Sequence, residues 1–495
     1  MLVGRGGEDP FEFDSRRSHR YDTPPTASSR KESTVLTYDV AVLGGGPGGY
    51  VAAIRAAQRG AKTCCIESAK IGGVCLNVGC IPTKAMLHAS EVFTHIVRAE
   101  EYGFAGGKKP TVDGAAYMKR VAGVVDGICK SVEKLVKARK VDIIRGRGTL
   151  TARDIIEVAG PDGKQQVKAK SIILATGSRP AKPGFLPFDS GRVWTTDEAT
   201  TAQSLPESIL IVGGGVIGCE FATVYSELGI PTTVVEMLDR LVANVDDDVA
   251  KAIQKSLVQR GVKVRTKVKI VGMKAGKSGI VAELEGGEKI EAAIALAAVG
   301  RLPNVDGIGL EAVGVKLEGK VIKVDDRCRT SIEGIYAIGD CAEMRQYAHL
   351  ASRMGVVAAE NATGHSVRDP RNVVPVGVYT HPEVAAVGLS EAEAAKSGKK
   401  VRVARFFYQG SGMARAYGDT EGQVKLIADE ALGEILGAVV IGQHATDVIQ
   451  EIALAMRNEL TMEELALTIH PHPTFVEGIL EAAESWLGYP IHSAG

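Results

Sequence analysis

The chain has 495 residues, and Lys plus Arg equals Asp plus Glu at 59 each, so no net field draws it toward nucleic acid or an anionic membrane. One core cannot serve that length, and a prior of about 150 residues per domain suggests roughly three domains. Eight cysteines in so long a chain make no secreted disulfide framework, and the longest apolar run, near Ala292 to Gly300, is too short to span a bilayer, so a soluble protein of a reducing compartment is expected.

Residues 1–36 are rich in Arg, Ser, Pro and acidic groups, lack an apolar period, and read as a disordered extension. Arg5, Arg16, Arg17, Arg20 and Arg30 suggest a mitochondrial presequence, but Glu8, Asp9, Glu12 and Asp14 argue against one, since transit peptides are poor in acids. Tyr38 to Leu43 is a short apolar strand that runs into Gly44-Gly45-Gly46-Pro47-Gly48-Gly49 and a helical Tyr50 to Arg59. Gly44, Gly46 and Gly49 make G-x-G-x-x-G in a strand-turn-helix setting, which lets the backbone approach a pyrophosphate resting on the helix N-terminus. A second strand, Lys62 to Ile66, ends at Glu67, where a carboxylate can accept from a ribose. A lone glycine pattern is often only a tight turn; the acid at this offset is what points to a dinucleotide.

Gly72 to Lys84 brings two thiols, Cys75 and Cys80, to what reads as the mouth of a helix. On an ideal helix they would stand about 140° apart, too far to bridge, and Gly79 permits the backbone departure that a disulfide here would need. A thiol at a helix N-terminus also has its thiolate favoured by unpaired N–H groups. By itself, C-x4-C suits two buried small hydrophobes as well as it suits a redox couple. The wording around it is particular: Cys75-Leu76-Asn77-Val78-Gly79-Cys80-Ile81-Pro82 closely resembles the redox-active motif of the flavin-dependent pyridine nucleotide-disulfide oxidoreductases, class I, and most of all the branch that acts on dihydrolipoyl groups.

That resemblance extends from Tyr38 to Tyr489. It implies an α/β fold with two Rossmann-like dinucleotide-binding domains, for FAD and NAD, and a C-terminal α+β dimerisation domain. The implied division is 37–185 (FAD domain, first part), 186–307 (NAD domain), 308–373 (FAD domain, second part) and 374–495 (dimerisation). Helices over Ala85 to Glu101 and Gly114 to Lys140 would pack over the cofactor, followed by a strand and Gly-Arg-Gly turn over Val141 to Gly148 and a hairpin meander over 150–170. The strand ending Ala175-Thr176-Gly177-Ser178 is similar to the family's crossing between nucleotide domains. Besides the first glycine loop and Glu67, the resemblance assigns Lys84, Gly148, Thr176, Gly177 and Ser178 to FAD, with Lys84 favouring the reduced, anionic flavin.

A second unit begins with the strand Pro206 to Val212, continues through Gly213, Gly215 and Gly218 into a helix reaching Leu228, and has its second strand, Thr232 to Val235, end at Glu236. Gly213 to Glu236 spans 23 residues, as does Gly44 to Glu67 (236 − 213 = 67 − 44), and two copies at one spacing imply two dinucleotide sites. Glu236 would accept from a 2′-hydroxyl and repel a 2′-phosphate, which reads as NAD, although Arg240 nearby keeps NADP in view. Glu220, Gly300 and Val268, the last placed in the following strand, complete the expected NAD site, and Ala297 to Asn304 resembles the return crossing. Ile335 to Asp340 is another strand ending in an acid; in the family an Asp placed like Asp340 holds the ribityl chain. A helix from about Gln346 to Gly364 would present Gln346, Tyr347, Ala348 and His349 to the flavin, yet Arg345-Gln346-Tyr347 departs from the family's usual Gly-Pro-Met-Leu.

From Val374 the character changes to α+β, and Val378 to Gly388 is similar to the opening of the family's dimerisation domain. Gly422 to Ala428 and Ile435 to Gly442 read as paired strands, and Asp447 to Asn458 as a helix. His470-Pro471-His472-Pro473-Thr474-Phe475-Val476-Glu477 is the second chemical constellation, because thiol–disulfide exchange needs a base with pKa near neutrality. His472 and Glu477 match the family's His-Pro-Thr-x-x-Glu, in which the carboxylate orients the imidazole and the imidazole reaches the disulfide of the other subunit, while His470 is taken as structural. The resemblance thus implies a homodimer, with Cys75, Cys80, His472 and Glu477 catalytic, and as partners the lipoyl domains of acyltransferases or glycine cleavage carrier proteins. No nucleic-acid or membrane partner is expected, and the setting would be a bacterial cytoplasm, or the mitochondrial matrix in a eukaryote. Asp447 stands where Glu is usual and Val74 where Thr is common. A mercuric reductase would end in a vicinal cysteine pair rather than Ile491 to Gly495, and a glutathione-type reductase would use NADP.

Overall fold

Strands β1 (Val35–Leu43) and β2 (Thr63–Glu67) are apolar runs, the second buried throughout, as expected of parallel strands covered on both faces. The computed structural model describes residues 35–105, 110–161, 163–243, 245–369 and 371–493, so most of the expected N-terminal extension lies outside the described residues. Val35 and Leu36, assigned to that extension from sequence, belong to β1, because they pair with Gln166 and Val167 of a long partner strand. Helix α1 (Pro47–Gln58) crosses between β1 and β2; α2 (Gly73–Asn77) and α3 (Cys80–Val97) follow, then α4 (Gly114–Ala138). Strands β3 (Asp142–Arg145), β4 (Arg147–Ala152), β5 (Ile155–Gly160) and β6 (Gly163–Leu174) complete a sheet of order β3-β2-β1-β6-β5-β4, with Ile335–Ala337 added beside β6. The hairpin meander expected over 150–170 is the antiparallel β4-β5-β6 portion.

The chain leaves this sheet through β7 (Ser178–Pro180), then β8 (Val193–Trp194) and α5 (Thr196–Thr201), and builds a second parallel sheet. Its strands are β9 (Ile209–Val212), β10 (Thr232–Val235), β11 (Lys263–Arg265) and β15 (Ile294–Ala297), in order β11-β10-β9-β15-β8, with helices α6 (Val216–Glu227) and α7 (Asp247–Gln259) between them. An antiparallel trio, β12 (Ile270–Ala275), β13 (Ile280–Leu284) and β14 (Lys289–Ala292), precedes β15. Val268 lies between β11 and β12 rather than in a strand as expected, because β11 ends three residues before it and Lys267 takes φ +59°. The return crossing, β16 (Arg301–Pro303), pairs antiparallel with β7, Ser178 opposite Pro303, so the two crossings hold one another.

The chain then passes through the short helix α8 (Leu310–Val313) and hairpin β17 (Leu317–Glu318) and β18 (Val321–Ile322) to β19 (Ile335–Ala337), the strand beside β6. Asp340 sits in the tight turn Gly339–Cys341 just past β19. Helix α9 (Ala348–Ala362) begins two residues later than expected: Gln346 takes φ +56° and Tyr347 is extended, so neither can be helical. Only Cys64 and Cys65 lie in a strand, whereas Cys219 is on α6, Cys129 on α4 and Cys341 in the turn after β19. The cysteines outside β2 sit in helices, turns or loops, where short runs are as apolar as in strands.

The last part is an antiparallel sheet of order β20-β21-β24-β23-β22: β20 (Val376–Val378), β21 (Val384–Gly388), β22 (Val401–Phe407), β23 (Gln423–Asp429) and β24 (Ile435–Ile441). Its helices are α10 (Glu391–Ala394), α11 (Gly412–Tyr417), α12 (Ala445–Arg457), α13 (Met462–Leu467) and α14 (Glu477–Leu487). Two buried charged clusters tie it to the second sheet. Lys425 of β23, 1% exposed, lies 2.6 Å from Asp246 and 2.9 Å from Asp248 at the start of α7. His381 Nδ1 lies 2.5 Å from Glu227, which also accepts from Ser90 of α3 at 2.7 Å. No helix among the described residues is long and apolar enough to cross a membrane.

Candidate functional site: a thiol pair between two phosphate loops

The two glycine loops repeat each other atom for atom in their constraints. Gly44 and Gly213 have φ of +109° and +103°, where a Cβ would meet the carbonyl oxygens of Ala175 at 2.2 Å and Ala298 at 2.5 Å. At Gly49 and Gly218 a Cβ would fall 1.9 and 2.0 Å from the carbonyls of Gly44 and Gly213, so only glycine lets each helix approach its strand. At the middle positions the reverse holds: a Cβ on Gly215 would meet nothing within 4 Å, and on Gly46 nothing nearer than Gly73 Cα at 3.9 Å. Both middle glycines are N-caps, of α1 and α6, with no side chain satisfying the first-turn N–H groups. Those donors and that space are what a pyrophosphate requires.

Each second strand ends in a carboxylate clamped in the same way. Glu67 accepts from the backbone N–H of Gly45 at 2.7 Å and of Ala69 at 2.6 Å; Glu236 accepts from Gly214 at 2.6 Å and Leu238 at 2.8 Å. Each keeps lone pairs free for a ribose hydroxyl. Arg240, the residue that kept NADP in view, turns to the Ala243 carbonyl at 3.2 Å and toward Asp247 at 3.5 Å.

Both loops open into one cavity of about 2330 Å³. Its walls include Cys75, Cys80 and every cofactor-binding residue assigned from sequence except Gly218, packed against Gly213. A volume more than twice the usual upper limit of about 1,000 Å³ for one ligand leaves room for two dinucleotides. At the crossing, Thr176 donates to the Asn304 carbonyl at 2.7 Å and Asn304 donates back to Thr176 at 2.9 Å. Ser178 donates to Asp340 at 2.6 Å and accepts from Arg301 at 2.9 Å. Burial raises the Asp340 carboxyl despite these partners, and burial also lowers Arg301.

The thiols sit where the chain breaks between α2 and α3. Gly72 and Gly73 have positive φ, and Gly73 packs so closely on the first phosphate loop that a Cβ would lie 2.6 Å from Gly46 Cα. Asn77 closes α2 by donating to the carbonyls of Gly73 at 2.9 Å and Ile71 at 3.2 Å. Gly79 then caps α3 without a side chain, leaving Cys80 on the first turn among free N–H groups. Both thiols are free and half-buried. Cys75 is pushed up, first by donating its proton to Cys80 and then by burial, whereas Cys80 is drawn down to about 7 by that hydrogen bond, burial opposing and Lys84 assisting. The shared hydrogen bond thus favours the proton on Cys75 and negative charge on Cys80. Lys84 lies 2.9 and 2.8 Å from the two oxygens of Glu220.

His472 is placed elsewhere. Its Nδ1 is 2.8 Å from Glu477 Oε1, whose other oxygen accepts from the Thr474 N–H at 2.6 Å; the imidazole is 78% exposed and lies outside the cavity walls. His470 instead pairs with Glu451 at 2.9 Å. Near Ala348, Tyr347 stacks on His349, which contacts the Pro375 carbonyl at 2.9 Å. Sequence reasoning missed Tyr379, Thr200 and Asp197, and took Arg301 only as part of a crossing; all four line the cavity. Thr200 donates to the Val78 carbonyl beside the thiols, and burial raises Asp197. Arg301 in Gly-Arg-Leu-Pro-Asn carried a readable signal; the other three sit in ordinary helix or strand-end wording.

Residues 38–355 match the family of pyridine nucleotide-disulphide oxidoreductases, and 374–483 match that family's dimerisation domain. The chain belongs to this family. It is 41% identical over 467 residues to a dihydrolipoyl dehydrogenase of Thermus scotoductus, covering 92% of this chain and 99% of that one. It is 39% identical to that of Geobacillus stearothermophilus, covering 91% and 96%. Among solved structures it resembles LpdA from Mycobacterium tuberculosis, with TM-score 0.85, 29% identity, and 91% and 99% coverage. It also shares its fold with the flavoprotein disulfide reductase RclA of Escherichia coli, at TM-score 0.82 and 24% identity, covering 91% and 99%. FAD and NAD are its cofactors, and the duplicated cradles and clamped carboxylates fit them.

Proposed function

We infer that this chain oxidises protein-bound dihydrolipoyl groups to the disulfide with NAD as final acceptor, the activity of a dihydrolipoyl dehydrogenase. One observation carries the reading: a hydrogen-bonded thiol pair at the break between α2 and α3 lies in the same cavity as two matched phosphate loops. Gly44, Gly46, Gly49 and Glu67 would hold FAD, with Lys84, Gly148, Thr176, Gly177, Ser178, Asp340 and Gln346 to His349 around it. Gly213, Gly215, Gly218, Glu236, Val268 and Gly300 would hold NAD. Glu220 is better read as the partner of Lys84. Together the cofactors supply a two-electron path from sulfur to nicotinamide.

The protein's own part is thiol–disulfide exchange. With Cys75 and Cys80 joined, a lipoyl thiolate attacks Cys75 sulfur; the Cys75–Cys80 bond breaks and Cys80 leaves as the thiolate that its surroundings favour. The second lipoyl thiol then attacks the mixed disulfide, forming the lipoyl disulfide and returning Cys75 as a thiol. Two electrons enter the cysteine pair, and His472 carries the protons, its Nδ1 held by Glu477 so that Nε2 faces the incoming thiol. Because His472 is exposed and outside its own chain's cavity, it serves the thiols of a second copy, which makes the enzyme a homodimer with composite sites. The match of 374–483 to a dimerisation domain supports this.

The division at 37–185, 186–307, 308–373 and 374–495, with its first boundary moved to Val35 where β1 begins, is supported by the three largest sheets and the paired crossings. Lipoyl domains of acyltransferases or glycine cleavage carriers are the expected partners, in the cytoplasm of a bacterial cell. Steady-state rates with dihydrolipoamide and NAD against glutathione disulfide and NADPH test the reading. Preference for the first pair is expected, and preference for the second would overturn it.

A further inference from the structure

Cys80 and Lys84 are four residues apart on α3 and share a face. Lys84 reaches across to Glu220 of α6, so this ion pair is made by two different nucleotide-binding units. A third unit completes it. Tyr379, just past β20 in the dimerisation part, sets its ring over the Lys84 ammonium at 4.3 Å and donates its backbone N–H to Glu220 at 3.1 Å. One residue thus touches both members of the pair through two different groups.

Neighbouring groups pack against the ring. Gly377, two residues before, sits so close that a Cβ there would meet the Tyr379 ring at 3.4 Å and Thr446 at 2.9 Å. The ring also packs partly buried in the apolar cluster that joins the second sheet to β21 and β24. Among the described residues no hydrogen bond engages the Tyr379 hydroxyl; the contact is the aromatic face, which attracts a cation through its quadrupole.

We propose that Tyr379 is a positioning residue for the thiol site: from the dimerisation part, its ring and backbone hold the Lys84–Glu220 pair in place, and that pair sets the charge beside Cys80. Without the ring, Lys84 loses its second contact and turns toward solvent, and the Cys80 thiolate loses nearby positive charge. The other charged or titratable groups around Cys80 are Cys75 on α2 and Arg301 on β16, neither of which Tyr379 touches.

The inference rests on Cys75 and Cys80 being the redox pair. The test uses the flavin-loaded dimer, reduced anaerobically by two electrons with dihydrolipoamide, and follows the long-wavelength thiolate–flavin absorbance from pH 5.5 to 9. Tyr379→Leu should raise the midpoint of that titration by about half a unit or more, whereas Tyr379→Phe, which keeps the face and loses the hydroxyl, should titrate like the unsubstituted protein. Should Tyr379→Leu not retain flavin, Tyr379→Met is read in the same way. Unchanged midpoints in the Leu and Met variants overturn the proposal, as does an equal shift in Tyr379→Phe. If the unsubstituted protein shows no such band at any pH, the redox-pair reading itself fails and takes this proposal with it.

Discussion

The His472 imidazole is held 2.8 Å from the Glu477 carboxylate on an exposed face of the dimerisation part, while the thiols it is matched to lie inside a cavity it does not line. On the reading proposed above, this base and these thiols meet between two copies. His472→Gln should lower turnover with dihydrolipoamide by about 10²- to 10⁴-fold, and Glu477→Gln by less, since the imidazole remains. Mixing inactive Cys75→Ser and His472→Gln dimers under conditions that exchange subunits should restore about a quarter of the activity, because half the dimers then carry one intact composite site. No recovery on proven exchange would place each base with its own chain's thiols.

Glycines of the two loops should separate binding from folding. A methyl on Gly215 meets nothing within 4 Å and stands at the cavity wall, so Gly215→Ala should fold normally and raise the KM for NAD by about tenfold or more. Gly49→Ala would force a Cβ to 1.9 Å from the Gly44 carbonyl, and should cost about 1–3 kcal/mol or more together with flavin retention. Equal effects of the two changes on thermal unfolding would contradict the cradle geometry.

Cys80 is drawn down to about 7, so its thiolate dominates above that pH and is protonated below it. Thiolate absorbance of the reduced pair should therefore fall as pH drops through about 7, by roughly tenfold for each further unit. Lys84→Met should move that midpoint upward, since the ammonium favours the charged sulfur. A midpoint near the ordinary thiol value in the unsubstituted protein would contradict the shared-proton arrangement.

The His381–Glu227 cluster predicts a stability profile. Burial opposes charge on His381, but its hydrogen bond and attraction to Glu227 outweigh burial, and the net shift is upward. A raised folded-state value means the pair stabilises fully below about 6.5, the unfolded value, and that contribution is lost as pH rises through the folded value. His381→Gln should therefore cost about 2 kcal/mol at pH 6 in denaturant unfolding and progressively less at alkaline pH, the Ser90 bond to Glu227 being retained. A cost that grows with pH would reverse the assignment.

Much of this site was legible before any coordinates because its parts are local. Gly44 to Glu67 and Gly213 to Glu236 each encode a strand, a turn and an acid within one short stretch, and the structure keeps both registers. The hairpin meander was readable from alternation, and the paired β23 and β24 from apolar runs bounded by turn residues. What escaped was made by tertiary contact. Tyr379 matters because of Lys84, almost three hundred residues away, and no pattern around either announces the meeting. Val268 was misplaced because β11 stops at Arg265 and Lys267 turns to positive φ, a backbone choice that the alternating charged and apolar residues from Lys263 to Ile270 do not announce. The late start of α9 has the same cause at Gln346.

The central claim is that Cys75 and Cys80 open and close a disulfide as reducing equivalents pass through the protein. Counting and mapping free thiols in denaturant, by differential alkylation before and after anaerobic exposure to dihydrolipoamide, tests it most directly. The account predicts two new thiols per chain, both on the peptide carrying Cys75 and Cys80. No gain, or a gain at Cys64, Cys65 or Cys129 instead, would contradict it.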